Sequence, residues 1–412
     1  MKLPPALRSR NYRLYFCGQG LSVLGTWMQR VAMHWLVYRL SGSELLLGLT
    51  GFFSHVPILL LAPFGGLLAD RFDRRTLLIW TQALAMLQAF ALAALTYLGQ
   101  VEVWHVLLMA AALGIINAFD TPARQSLAVE LLDDRRDLPN AIALNSLVNN
   151  SGRLIGPSIA GVALTLLTEG ACFLINGLSY LSVLVALFMI RIRRDPAAAP
   201  RRFARHGIRD GMRLAWRSAP IRTTLAVVAI VSFLVTPYTT MMPAFVDRVL
   251  GGGAHTMGFM LSAAGVGAVL GTAYLAWRPS IAGLWRIMAI GACAAGAGLA
   301  LFALSPWPWV SAPLIAAVGF GVIVMAASAN TILQTVVADE MRGRIVSLYT
   351  MAFMGFAPLG TLAVGALAEA IGVQAAFVIG GLLAVVVAVV FSGRIGALRD
   401  TLQRTQPQLT LP

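Results

Sequence analysis

Four titratable side chains stand where a chain this apolar rarely carries any: Arg30 and His34 in one hydrophobic run, His55 in a second and Arg153 in a third. An ionisable group surrounded by hydrocarbon is expensive to insert, so it is a candidate for a ligand or proton path before packing. A guanidinium pairs with anions, and an imidazole exchanges a proton near neutral pH. On a helix, Ser22, Thr26, Gln29, Arg30, Met33 and His34 share one face at three- and four-residue spacing. Asn145, Asn149 and Arg153 form a second stripe, which overlaps Gly152 and Gly156 by helical angle and so points into a bundle, not at lipid. Gln29, Arg30, Asn145, Asn149 and Arg153 are therefore candidates to line a ligand cavity. Asn330, Gln334 and Tyr349, with Thr236 and Tyr238 beside Pro237, are the candidates from the second half of the chain. His34 and His55 are the candidate proton sites, because no Asp or Glu falls clearly mid-run; Asp247 and Glu369 sit near run ends. At ~1.5 Å per residue, Arg30 lies about 25 Å along from Arg13. From there it either reaches the outer interface beside Trp35 and Tyr38, or faces the cavity and favours anionic or catecholate-like molecules.

Other chemistries are excluded by what is missing. A phosphate-binding loop needs a lysine after its glycines, and the single lysine is Lys2 in the N-terminal arm. Neither H-E-x-x-H nor G-x-S-x-G occurs, and the 5 histidines are scattered without ligand spacing. Cys17, Cys172 and Cys293 fall singly inside apolar runs, as small packing residues do. The expectation is a protein that is not an enzyme and uses no metal or cofactor.

The elements that hold these residues follow from composition. Of 412 residues 58% are hydrophobic and 12% charged, against about 25% charged in soluble domains. Twelve apolar runs recur, at 14–38, 45–69, 77–98, 103–123, 141–167, 171–190, 221–246, 257–277, 285–304, 309–335, 345–369 and 375–393. Each is long enough to cross ~30 Å of hydrocarbon as a helix, the one open-ended structure whose backbone satisfies itself in lipid. The alternating ten-residue segments of a barrel are absent. The fold class is thus an all-α membrane protein in the lipid bilayer of the cell inner (plasma) membrane. The first run holds Gln29 and Arg30 and is too long for a cleaved signal segment.

Of the 31 Lys and Arg residues, all but Arg30, Arg39, Arg153 and Arg248 fall on segments that share one side when the N-terminus is inside. That asymmetry is the positive-inside rule and predicts cytoplasmic N- and C-termini. The formal charge of +14 is then topology, not nucleic-acid binding.

The longest polar stretch, Arg191 to Arg222, holds ten arginines and the low-complexity piece Pro196–Pro200, and separates six runs from six. The expected domains are residues 1–190 as one six-helix bundle, 191–219 as a basic linker, 220–395 as a second bundle and 396–412 as a tail. Within the linker, Ile208, Met212, Ala215 and Trp216 share a helical face, and Arg209, Arg213 and Arg217 another. Such a helix suits an anionic inner leaflet, with a calmodulin-type partner as the alternative. The halves repeat: shifting by 204 aligns Leu144/Leu348, Gly156/Gly360, Gly161/Gly365, Phe173/Phe377 and Gly177/Gly381. Two parallel repeats around a central path are implied.

Two local patterns remain. Gly66-Leu-Leu-Ala-Asp70-Arg71-Phe-Asp73-Arg74-Arg75-Thr-Leu-Leu78 follows the second run, and Gly152-Arg-Leu-Ile-Gly156-Pro157-Ser-Ile-Ala160-Gly161 lies in the fifth. The first resembles the signature loop of the major facilitator superfamily, departing at Asp73 where glycine is usual; the loop of the second half, Trp277-Arg278-Pro279, has lost it. The second, a packing seam with a proline kink on its residues alone, is similar to that superfamily's antiporter signature, with Ala160 for one glycine. Leu7–Tyr15, Asp120-Thr-Pro-Ala-Arg124-Gln and Gly211–Arg217 look like the branch holding the enterobactin exporter and macrolide-efflux proteins.

The resemblance implies twelve spans as two pseudo-symmetric six-helix bundles, and a cytoplasmic latch of Gly66, Asp70, Arg71, Arg74, Arg75 and Asp120. Asp70 would cap the neighbouring helix and Arg74 would pair with Asp120. The expected function is secondary transport: export of a small amphipathic organic molecule, such as a siderophore or drug, by alternating access and with protons as the coupling ion, from a monomer. The alternatives are an importer or lipid-type flippase of the same fold, or a membrane-embedded enzyme or sensor.

Overall fold

The computed structural model describes residues 4–190, 207–278 and 283–405, without the side chains of 62–63, 69–70, 135, 150, 207–210, 339–340 and 399–405. Most of the linker (191–206), including Pro196–Pro200, lies outside the described residues, as do Pro279 and the end of the tail (406–412). All regular structure among the described residues is helical. The chain divides into two compact units, Met1–Gly42 with Phe53–Phe203, and Ser43–Phe52 with Ala204–Pro412.

Unit 1 is built from α1 (Pro5–Arg8), α2 (Arg10–Ser41), α3 (Glu44–Arg71) from Phe53 onward, α4 (Arg74–Tyr97), α5 (Val103–Glu130), α6 (Leu138–Leu166) and α7 (Glu169–Met189). Its helix ends are set by local chemistry. Gly42 closes α2 in the left-handed region (φ 63°), donating to Tyr38 O at 2.7 Å, a conformation that costs glycine nothing. Thr168 caps α7, and Glu102 with His105 forms a capping box on α5. The arm before α2 is pinned: Ser9 Oγ donates to Leu131 O at 2.6 Å and Tyr12 OH to Ala141 O at 2.9 Å. The helices pack through glycines. A Cβ on Gly18 would stand 2.7 Å from Ser182 O, and one on Gly65 would strike Ala118 O, so substitution there separates helices.

Unit 2 contains α8 (Gly207–Arg217), α9 (Ala219–Val235), α10 (Tyr238–Arg248), α11 (Ala254–Ala276), α12 (Leu284–Leu304), α13 (Pro308–Val336), α14 (Asp339–Thr350), α15 (Phe356–Ile371) and α16 (Val373–Thr405). Pro237 interrupts what would be one long helix into α9 and α10, because it lacks the N–H a continuous helix needs. A π-helical turn, Met351–Gly355, joins α14 to α15. The core is apolar: Phe245, Phe302 and Phe377 stack with centroids 4.4, 5.5 and 6.4 Å apart, and Gly291/Gly321 and Gly296/Gly381 bring backbones together. The first turns of α3 belong to this unit. Glu44 is 1% exposed and ion-pairs with Arg248 at 2.7 Å, while Glu369 accepts from Ser43 Oγ at 2.9 Å and Leu45 N at 3.1 Å.

Two expectations change. The apolar face drawn for the linker helix divides: Ala215 is buried while Met212 and Trp216 are exposed, because the Gly211 side of α8 packs on Arg344 of α14. The last helix outruns its apolar run and continues to Thr405. Ten helical segments among the described residues are long and apolar enough to span a membrane. α2 and α6, at 32 and 29 residues, are outside that set. They are the helices that carry Arg30 and Arg153.

Candidate functional site

The signature loop sits between α3 and α4 in unit 1. Asp73, the residue that departs from the superfamily pattern, is the N-cap of α4: its Oδ2 accepts from Thr76 N at 3.0 Å and Thr76 Oγ1 at 2.7 Å. An aspartate there satisfies an orphan N–H and meets the positive helix end. The capping role drawn for Asp70 falls on a side chain outside the description. Arg75 ties the start of α4 to the end of α7, donating Nε to Leu187 O at 2.7 Å and Nη2 to Phe188 O at 3.2 Å. Gly66 is half-buried and Arg71 exposed.

Arg74 does not pair with Asp120 as drawn from the resemblance. It pairs with Glu130. The reason is helix length: α5 continues past its apolar run to Glu130, so the acid at that helix end is Glu130, and Asp120 lies inside. Asp120 is 1% exposed and held by Arg124 one turn on, by Thr81 Oγ1 at 3.0 Å and by Gln82 Nε2 at 2.7 Å. A buried carboxylate with an arginine and two neutral donors is well matched.

Gln29 also serves a different end. It is 1% exposed; its Nε2 donates to Gln88 Oε1 at 3.0 Å and its Oε1 accepts from Asn176 Nδ2 at 2.6 Å. Gln88 Nε2 reaches Met109 O at 3.3 Å, and Ser179 Oγ donates to Asn176 Oδ1 at 3.1 Å. This chain of amides crosses α2, α4, α5 and α7, and its satisfied members leave Gln29 little capacity for a ligand. Gln88 and Asn176 were not singled out from sequence, although each is an isolated amide in an apolar run.

The remaining unit 1 candidates group around Trp27. The guanidinium of Arg30 lies over the Trp27 ring, 4.6 Å from its centroid. It thus folds back along α2, the direction a helical side chain leans, and away from Trp35 and Tyr38. Trp27 is seated by the antiporter-like motif: a Cβ on Gly152 would meet Val23 and Trp27 side chains, and one on Gly156 would strike Trp27 Cβ. Pro157 and Gly161 are buried on the same helix. Arg153 is half-buried on α6 next to Gly152, His34 is buried on α2, and His55 is half-buried on α3. Asn149 Nδ2 donates to Asn145 O at 2.8 Å.

In unit 2, Gln334 Nε2 donates to Asn330 Oδ1 at 3.1 Å, and Tyr349 OH to Ala326 O at 2.9 Å. Ser232 Oγ satisfies the Phe353 carbonyl within the π-turn at 2.5 Å, as such a bulge requires. No cluster of three or more His, Cys, Asp or Glu residues that could hold a metal ion occurs among the described residues.

A family profile described as transmembrane secretion effector matches residues 3–406. The staphyloferrin A transporter of Staphylococcus aureus (strain NCTC 8325 / PS 47) is 26% identical, over 92% of this chain and 95% of its own. The multidrug efflux pump Tap of Mycolicibacterium fortuitum is 26% identical, over 84% of this chain and 86% of its own. A crystal structure of a POT family transporter in complex with a thioalcohol-conjugated peptide superposes with a TM-score of 0.74 at 12% identity, covering 96% of this chain and 99% of that one.

Proposed function

Because this chain belongs to the transmembrane secretion effector family of major facilitator transporters, we propose that it exports a small amphipathic organic molecule by alternating access, driven by a proton gradient. Its standing as a multi-pass plasma-membrane transporter of small molecules, and not an enzyme, rests on that family and on the helical fold shared with solved transporters. Direction and coupling are the finer reading. The observation that supports export is the match over 84% of the chain to an efflux pump, together with the G-x-x-x-G-P element at Gly152–Pro157 that seats Trp27.

In this reading α2 and α6 cross the membrane with the ten apolar segments, giving twelve spans with both termini cytoplasmic. The expected domains (1–190, 191–219, 220–395, 396–412) move as two bundles in a monomer. Gly66, Asp70, Arg71, Arg74, Arg75 and Asp120 remain the latch residues of this reading; the pair of Arg74 with Glu130 lies within unit 1, where it ties the start of α4 to the end of α5. His34 and His55 remain the proton candidates.

The test is transport in everted membrane vesicles energised by respiration. Protonophore-sensitive accumulation of a macrolide or a ferric-siderophore ligand supports proton-driven export. Accumulation only in intact cells, or by vesicles with the gradient collapsed, turns the reading to import or to an uncoupled flippase.

A further inference from the structure

Arg39, Arg74, Arg124 and Arg248 each face a carboxylate, on Glu169, Glu130, Asp120 and Glu44. Arg30 and Arg153 form no such ion pair among the described residues, although they lie well inside the two long helices α2 and α6. The buried acids of unit 1, Asp120 and Glu169, are already matched, the first by Arg124, Thr81 and Gln82 and the second by Arg39. A structural arginine in such a place is retained with its counter-charge, as Arg124 is with Asp120.

The geometry also holds Arg30 in position. Trp27 lies on Gly152 and Gly156, and the Arg30 guanidinium lies over the Trp27 ring at 4.6 Å. Cation–π contact fixes one face of the guanidinium while its N–H edges stay available for a planar anion. Both arginines are half-buried, so they are partly desolvated without being sealed.

From this we propose that unit 1 contains a binding site for the anionic group of the substrate, a carboxylate or an acidic phenol, held by Arg30 and Arg153 and walled by Trp27. It follows that the transported class is anionic or zwitterionic, and that permanently cationic drugs are poor substrates. Resting on the reading of the chain as a transporter of organic molecules, it names the substrate chemistry. Binding is measured at equilibrium without a gradient, so its failure is separate from any failure of direction or coupling. A phospholipid headgroup offers the same anionic chemistry and is distinguished below.

The experiment uses the full chain in nanodiscs and two xanthene dyes of similar skeleton and opposite charge, carboxyfluorescein and rhodamine 6G, followed by fluorescence anisotropy. The wild type should bind carboxyfluorescein at least tenfold more tightly than rhodamine 6G (about 1.4 kcal/mol). R30Q and R153Q should each weaken carboxyfluorescein at least fivefold, with R30K retaining most of the affinity and showing that the fold tolerates the position. Citrate should displace the dye from discs of neutral lipid. Displacement by anionic phosphatidylglycerol, with no effect of citrate, would assign the site to a lipid and overturn the proposal. Equal binding of the two dyes, no binding of carboxyfluorescein, or unchanged affinity in both R30Q and R153Q would overturn it as well.

Discussion

Unit 1 and unit 2 are both bundles of long helices, yet their interiors use different chemistry. Unit 1 buries an amide chain (Gln29, Gln88, Asn176) and a carboxylate–arginine pair (Asp120, Arg124), and holds a half-buried arginine over an indole. Unit 2 buries stacked phenylalanines, methionines such as Met241, Met242, Met257 and Met260, and reciprocal glycines on α12, α13 and α16. In lipid, apolar side chains give helices little reason to prefer each other over the solvent, so close backbone approach does the work in unit 2. In unit 1 hydrogen bonds and charge add to the glycine contacts at Gly18 and Gly65. The halves share glycines at Gly156/Gly360 and Gly161/Gly365, while among the described residues the buried charge of unit 2 is confined to Glu44, paired with Arg248 where α3 starts and α10 ends.

The largest effects should come from breaking what each interior depends on. Asp120→Leu strands Arg124 in a dry site and should cost ~3–5 kcal/mol. Phe245→Ala removes the ring that stacks on both Phe302 and Phe377 and should cost ~3–5 kcal/mol. Thermal unfolding of the purified variants reads both, and an unchanged midpoint for Asp120→Leu would remove the charge pair from the comparison. Gly319→Val, placed against the Ala264 backbone, should cost ~1–3 kcal/mol by overpacking, and a neutral result there would mean that α11 and α13 can separate freely.

The sequence showed the oily runs and the two-half arrangement, because length, periodicity and charge bias are local quantities. It did not show where α5 ends. Hydropathy falls at about residue 123, but helical hydrogen bonding continues to Glu130, and that overrun moved the partner of Arg74. Nor did it show that Gln29 is occupied: its partners are 59 and 147 residues away, a separation no pattern reports. Asp73 looked like a defect in a motif and is a helix cap, which the S/T/D-before-helix rule alone was sufficient to read.

Smaller effects sharpen the contrast. Ser232→Ala leaves the Phe353 carbonyl of the π-turn without its donor and should cost ~1 kcal/mol, seen as faster amide exchange in Met351–Gly355. Arg74→Gln should lower stability by well under ~1 kcal/mol, because the pair with Glu130 is about a third exposed and screened by water. Its effect should fall on transport rate, and a variant that transports normally would leave the pair structural only.

The central claim is that ligand chemistry resides in unit 1. Uptake of carboxyfluorescein into proteoliposomes bearing R30Q, R153Q or the unit 2 double variant N330L/Q334L tests it in one assay. The account predicts that either arginine change abolishes uptake while the unit 2 change alters it no more than a few-fold. Normal uptake by both arginine variants, with loss in N330L/Q334L, would contradict it.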